Sequence, residues 1–247
     1  MIKQRLKKGE KQRINWNALV SDLVINCNQY HQYYYAINNF TGPSYHFHIR
    51  ALKTQADEKI EMIYAMLVSW GMHRMGGGAQ MNEYDIFYES ITSVLDAIES
   101  LSLTKFKYIT ENEINQLKIV FNSINAMKTS RKIVAVSKVM AHFLPHLIAP
   151  IDNEYTFQFI SQEPKNTNMP RNWNEFELFK EIHLNLFQKV IIDDKFKVLA
   201  AQWLDNPSYP WDTSIPKIVD NLIIGKIKHL KLTDVRYKKT NKNFNKL

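Results

Sequence analysis

Cysteine is nearly missing from this chain, with Cys27 the single one in 247 residues. An intramolecular disulfide is therefore excluded, as is a thiolate metal cluster, and a reducing compartment fits. Glycine and proline are scarce as well, at seven and eight. So few chain-reversing residues disfavour a turn-rich all-β protein and any low-complexity linker. Long apolar runs are lacking too: none approaches the roughly 18 residues that span a membrane. Behind the basic amino terminus, Asp22 interrupts the apolar pattern where a signal-peptide core would be uncharged. The expectation is a cytoplasmic protein with no membrane partner.

What is present is a 45% hydrophobic chain, long enough to bury one large core. Its net charge of +8 is unevenly placed. Residues 1–13 hold six basic residues against one acid and residues 226–247 hold eight against one, so the 212 residues between them carry −4. All the excess basicity sits at the two ends. That is the pattern of arms that screen phosphates, with DNA as a candidate partner, and equally of ends that keep a protein soluble. A protein partner remains open.

Trp16, Val20, Leu23, Cys27, Tyr30, Tyr34 and Ile37 alternate spacings of four and three, which predicts one long helix ended by Gly42-Pro43. The same alternation runs unbroken through Tyr84, Phe87, Ile91, Val94, Ile98 and Leu101. Thr110 and Glu113 form a capping box ahead of Ile114, Leu117 and Phe121, Asn172 is placed to cap a helix beginning at Trp173, and Ser214 with Pro216 opens a last one. Two-residue alternation never persists. The chain therefore reads as all-α, about nine helices packed as one domain or as two halves with a cleft. Residues 1–13 are a basic arm, 14–230 the helical domain with a sub-boundary at 104–110, and 231–247 a basic tail. The aromatic residues Tyr30, Tyr33, Tyr34, Tyr35, Phe40, Tyr45 and Phe47 can stack on unpaired bases, though their helical spacing assigns most of them to the core.

The segment Thr129 to Phe159 carries the most chemistry. It puts Lys138 at the margin of an apolar helix face made by Ile133, Val136, Met140, Phe143 and Leu144, breaks the helix at Pro145, and delivers Asp152 after Pro150-Ile151 to the start of another helix. Two readings fit each residue. Lys138 either snorkels past apolar neighbours or serves as a desolvated nucleophile; Asp152 caps the next helix, faces a cleft, or does both.

That order, a helix bearing a lysine, a proline-containing loop and an aspartate opening the next helix, resembles the helix-hairpin-helix glycine-proline-aspartate family of DNA glycosylases. Ser137-Lys138, Pro145 and Pro150-Ile151-Asp152 are similar to bacterial relatives of that fold. The resemblance spans about thirty residues, from 129 to 159, and implies a helical fold acting on a DNA base. By it, Asp152 stabilises positive charge on the sugar and Lys138 attacks the anomeric carbon. The family has a glycine-rich hairpin before its lysine, whereas this chain has Lys128-Thr129-Ser130-Arg131-Lys132.

Arg131, Lys132 and His142, close to Lys138 in sequence, are candidate ligand or nucleic-acid contacts. His73 and Arg74 are others, because Trp70 to Gly78 joins a helix end to a loop rich in backbone donors. This loop matches neither a dinucleotide fingerprint nor a phosphate-binding loop. His142 and His146 are four apart but separated by Pro145, and His46 and His48 diverge by about 200° on a helix, so no metal is expected. No cofactor is implied. The rival reading is a non-enzymatic helical scaffold.

Overall fold

Helix α1 (Trp16–Ile37) buries Leu19, Leu23, Cys27, Tyr30 and Tyr34, so the predicted stripe is the one that meets the core. The computed structural model of the protein describes residues 10–37, 41–55, 57–74, 80–104, 109–129, 131–163 and 165–244. The side chains of Asp57, Arg74 and residues 235–244 lie outside that description, as do Phe40, most of the 1–13 arm and the Gly76-Gly77-Gly78 loop.

After α1 come α2 (Pro43–Lys53), α3 (Asp57–Ser69), α4 (Tyr84–Thr92), α5 (Leu95–Ser102), α6 (Glu111–Ser123) and α7 (Ile133–Phe143). They are followed by α8 (Gln158–Ser161), α9 (Glu175–Ile182), α10 (Gln188–Ile191), α11 (Asp194–Trp203) and α12 (Ile215–Phe244). Among the described residues the sole extended pairing is a bridge between Met81 and Met127. The protein is all-α. No helix is long and apolar enough to cross a membrane among the described residues.

The structure has more and shorter segments than the apolar periodicity predicts, and polar chemistry explains why. The pattern from Tyr84 to Leu101 is cut between α4 and α5, where Ser90, Thr92 and Ser93 each turn a hydroxyl back onto a carbonyl one turn earlier. Such back-bonding competes with the helix ladder and ends it, while the apolar register survives on both sides. Asn174, not Asn172, caps α9: its side chain accepts from the amides of Phe176 and Glu177. Asn172 instead takes a left-handed φ of 62°. The capping box of Thr110 and Glu113 stands as expected.

One core runs through the described residues, with Phe87, Phe121, Phe157, Phe159, Phe179, Phe187 and Phe196 fully enclosed. The most extensive helix pairing is between α1 and α12. Helix α12 begins in the interior, with Pro216 to Ile223 buried on every side, and continues past residue 231 to Phe244. The basic tail is thus the outward end of a helix whose inward end is core.

Candidate active site

Lys138 and Asp152 come together because the loop between them is pinned. Leu144, Leu147, Ile148, Ala149 and Ile151 are all buried, so the loop after Pro145 is held down by its own apolar side chains. Its backbone is held by two side chains: Ser137 Oγ accepts the amide of Ile151 at 2.9 Å, and His183 Nε2 accepts that of Ala149 at 3.2 Å. Ser137 is the neighbour of Lys138. Tying Ile151 to Ser137 therefore places Asp152 beside Lys138, and their Nζ and Oδ2 atoms meet at 3.0 Å.

Asp152 does two jobs at once. Its Oδ1 accepts the amide of Glu154 at 2.8 Å, capping the next turn, while Oδ2 holds the lysine. The first turn behind it is widened to π-helical geometry over Asn153–Phe157, with the amides of Thr156 and Phe157 both donating to the Asp152 carbonyl. Burial works to raise the pKa of Asp152, but the Lys138 ammonium and the amides of Glu154 and Tyr155 outweigh it, and the net direction is down. The carboxylate stays ionised near neutral pH.

The pair opens onto a cavity of about 440 Å³. Trp70, Trp211, Tyr34 and Tyr155 provide aromatic walls, and Lys138, Asp152, Lys217, Asp220 and Lys228 provide charge. The charged lining sums to one positive charge if all five are ionised. Lys138 Nζ sits 5.2 Å from the Trp70 ring centre and Lys217 Nζ 5.9 Å from that of Trp211, within cation–π range. Asp220 is almost wholly enclosed. Burial pushes its carboxyl up even though Lys217 beside it pulls the other way. A larger hollow, about 800 Å³, lies between residues 158–165 and α12. Two lysines on its wall are committed to ion pairs, Lys226 with Asp22 and Lys231 with Glu154, and no aromatic pair faces into it.

Beneath the cavity lies a chain of buried neutral histidines. His142 Nδ1 meets the Lys138 carbonyl at 2.7 Å, and a carbonyl only accepts, so Nδ1 carries the proton. His142 Nε2 is then an acceptor. His48 Nδ1 donates to it at 2.8 Å, and Thr213 donates to His48 Nε2 at 3.0 Å. Burial lowers the pKa of His142 to about 4, that of His183 to about 4, and that of His48 well below its ordinary value. A base whose folded pKa is depressed gives stability that is complete above its unfolded value near 6.5 and is lost as pH falls toward the folded one. Between pH 7 and pH 5, His142 and His183 should each withdraw about 2 kcal/mol. Asp220, whose carboxyl is raised by burial, acts in the opposite sense as pH falls through its own pKa. Urea unfolding at the two pH values measures this. Replacing His183 by glutamine should flatten the dependence, and a slope unchanged by that substitution would contradict the assignment.

The other residues anticipated from sequence take different places. His142 is buried, and its contacts are internal, so it supports the floor and does not touch a ligand. His73 is exposed, donates to the Val68 carbonyl at 3.0 Å, and lies outside the cavity lining. Arg74 lies outside the described side chains. Arg131 borders a separate hollow with Asn153, Asn168 and Glu175, and Lys132 Nζ donates to the Asn122 carbonyl at 2.6 Å. The amides of Lys132 and Ile133, which open α7, are both occupied by the Glu175 carboxylate, at 2.8 and 3.2 Å. A protein carboxylate fills the helix start where a phosphate would otherwise bind.

Trp211, Lys217, Asp220 and Lys228 were not anticipated. The available signal was Lys217 and Asp220 inside the apolar run Ile215 to Ile224, since charge on the buried part of a helix needs a partner or a use. No family model matches the chain, and neither a curated protein nor a solved structure is matched by it.

Proposed function

We propose that the protein acts on nucleic acid as a glycosylase-like enzyme: a flipped base enters the cavity, and Lys138 and Asp152 cleave the bond joining it to its sugar. The support is the 3.0 Å approach of an amine and a carboxylate at the wall of a cavity lined by two tryptophans and two tyrosines. Its volume lies within the range of ligand pockets, and aromatic walls suit a planar ring. The side chain of Lys138 is only 12% exposed, which weighs against a scaffold that merely displays it to bulk water.

In this reading the C1′–N bond breaks with its electron pair passing to the base, while the ionised Asp152 faces the positive charge developing on the sugar. The ammonium proton of Lys138 goes to the departing base, and the freed amine adds to C1′. The sugar ring then opens at its C1′–O4′ bond, the oxygen takes a proton from the nitrogen, and a Schiff base remains. The basic ends supply phosphate contacts, a sequence-independent contribution that weakens with salt.

Borohydride reduction of the protein mixed with a panel of damaged DNA duplexes should give a covalent adduct. The adduct should vanish in Lys138→Ala and fall by about a hundredfold or more in Asp152→Asn. Adduct formation that persists in Lys138→Ala would remove the nucleophile from this reading.

A further inference from the structure

The cavity holds a second lysine–aspartate pair besides the one assigned to bond cleavage. Lys217 Nζ lies 2.6 Å from Asp220 Oδ2 and 2.7 Å from Asn221 Oδ1. An ammonium has three hydrogens, and these two partners use two of them. Lys217 and Asp220 both line the cavity, between the rings of Tyr34 and Trp211, which lie 6.0 and 5.9 Å from the amine. Among the described residues no side chain donates to the second oxygen of Asp220, and none of their sealed side-chain nitrogens or oxygens is unpaired. That oxygen therefore keeps contact with the open space.

Structural economy does not account for the pair. A buried ammonium–carboxylate pair is often no more stabilising than apolar residues of the same volume. Asn221 is itself anchored, donating to the Trp211 carbonyl at 3.1 Å and to Asp212 Oδ1 at 2.7 Å. Asp212 in turn holds His31 at 2.7 Å. Lys217 is thus aimed by a rigid, buried relay, as a specificity group needs to be.

We infer that Lys217 and Asp220 form an edge-reading site, which binds a planar heterocycle whose edge sets a ring N–H beside a carbonyl, while Trp211 and Tyr34 enclose its faces. The amine donates to the carbonyl and the carboxylate accepts from the ring N–H. One cavity then has two ends, Lys138 and Asp152 toward the sugar and Lys217 and Asp220 toward the far edge of the base. The inference rests on reading the cavity as a base site, but it does not require that any bond be cleaved.

The test uses the full chain and two isomers, N1-ethyluracil and N1,N3-dimethyluracil. Both block the sugar-attachment nitrogen; only the second also loses the N3–H, the one ring N–H left beside a carbonyl. Titration followed by tryptophan fluorescence and checked by calorimetry should show N1-ethyluracil binding at least about tenfold more tightly, since an unanswered buried carboxylate is costly. Asp220→Ala should bring the two isomers within about twofold, and Lys217→Met should weaken both by a similar factor. Equal affinity in the native protein, binding of neither isomer, or discrimination that survives in Asp220→Ala would overturn the assignment. If a variant fails to fold, the isomer comparison on the native chain still decides. Isomer discrimination without any borohydride adduct would retain this site and reject the cleavage reaction, and an adduct without discrimination would do the reverse.

Discussion

Gly225→Ala should unfold about 6–12 °C below the native protein, although alanine is the better helix former. Gly225 lies within α12, where exchanging glycine for alanine favours the helix by about 1 kcal/mol. The opposing effect is steric and larger. A Cβ at this position falls 2.2 Å from the Tyr30 carbonyl oxygen and 2.8 Å from the Tyr34 amide nitrogen, both backbone atoms of α1. Neither can rotate away, so the two helices must move apart. Their pairing is the most extensive among the described helices and carries Leu222, Ile223 and Ile227 against the core. Opening it should cost about 3 kcal/mol net, at the upper end of overpacking penalties, and each kcal/mol moves the midpoint of a chain this size by about 2–4 °C. Thermal unfolding followed by circular dichroism measures the shift; a midpoint within one degree of native, or above it, would show that α1 and α12 do not cross this closely.

Asp212→Ala should lose about 3–5 kcal/mol of stability, the cost of removing one partner from a buried charged network. Its carboxylate is fully enclosed and accepts from His31 Nε2 and Asn221 Nδ2, both at 2.7 Å. His31 cannot turn to water, because it is stacked on Trp203 at 3.9 Å and meets the edge of Tyr209 at 4.6 Å. Truncation therefore leaves the His31 ring nitrogen and one Asn221 amide hydrogen without acceptors in a low-dielectric interior, while the Trp211 carbonyl keeps the other. Asp212→Asn keeps one acceptor oxygen and should lose about half as much. Urea unfolding at neutral pH distinguishes them. A loss under about 1 kcal/mol for the alanine variant would mean that the network is solvated and its partners replaceable.

Much of the architecture was legible because helices report themselves locally. A three-four apolar alternation marks one face of a helix whatever that face meets, and Leu23, Cys27, Tyr30, Phe87, Ile91, Leu117 and Phe121 all entered the core from such stripes. The Thr110 capping box was readable for the same reason, since both partners lie within one turn. Segment ends were less so. Ser90, Thr92 and Ser93 interrupt a stripe without disturbing its period, so hydroxyl chemistry, invisible to a hydrophobic count, decided where α4 stopped.

The candidate site divides along the same line. Lys138 and Asp152 lie fourteen positions apart, joined by a loop whose apolar content announces burial, and their juxtaposition depends on ties from Ser137 and the distant His183. Trp70, Trp211, Lys217 and Asp220 come from α12, its preceding loop and the turn just after α3, and no local pattern links them. His142 illustrates the gap. One turn from Lys138 in sequence, it is a natural candidate for a ligand contact, yet its ring turns inward to His48, ninety-four positions away.

Residue order along this chain sufficed for an all-helical protein with charge concentrated at its ends and a lysine and an aspartate flanking a buried loop. Helix formation and capping depend on neighbours within about four positions. Which side chains share the cavity, which histidines stay neutral, and that the basic end of the chain continues a core helix depended on packing. Burial, pairing and desolvation are properties of the neighbours a residue acquires in three dimensions, and those neighbours come from segments as far apart as α1 and α12.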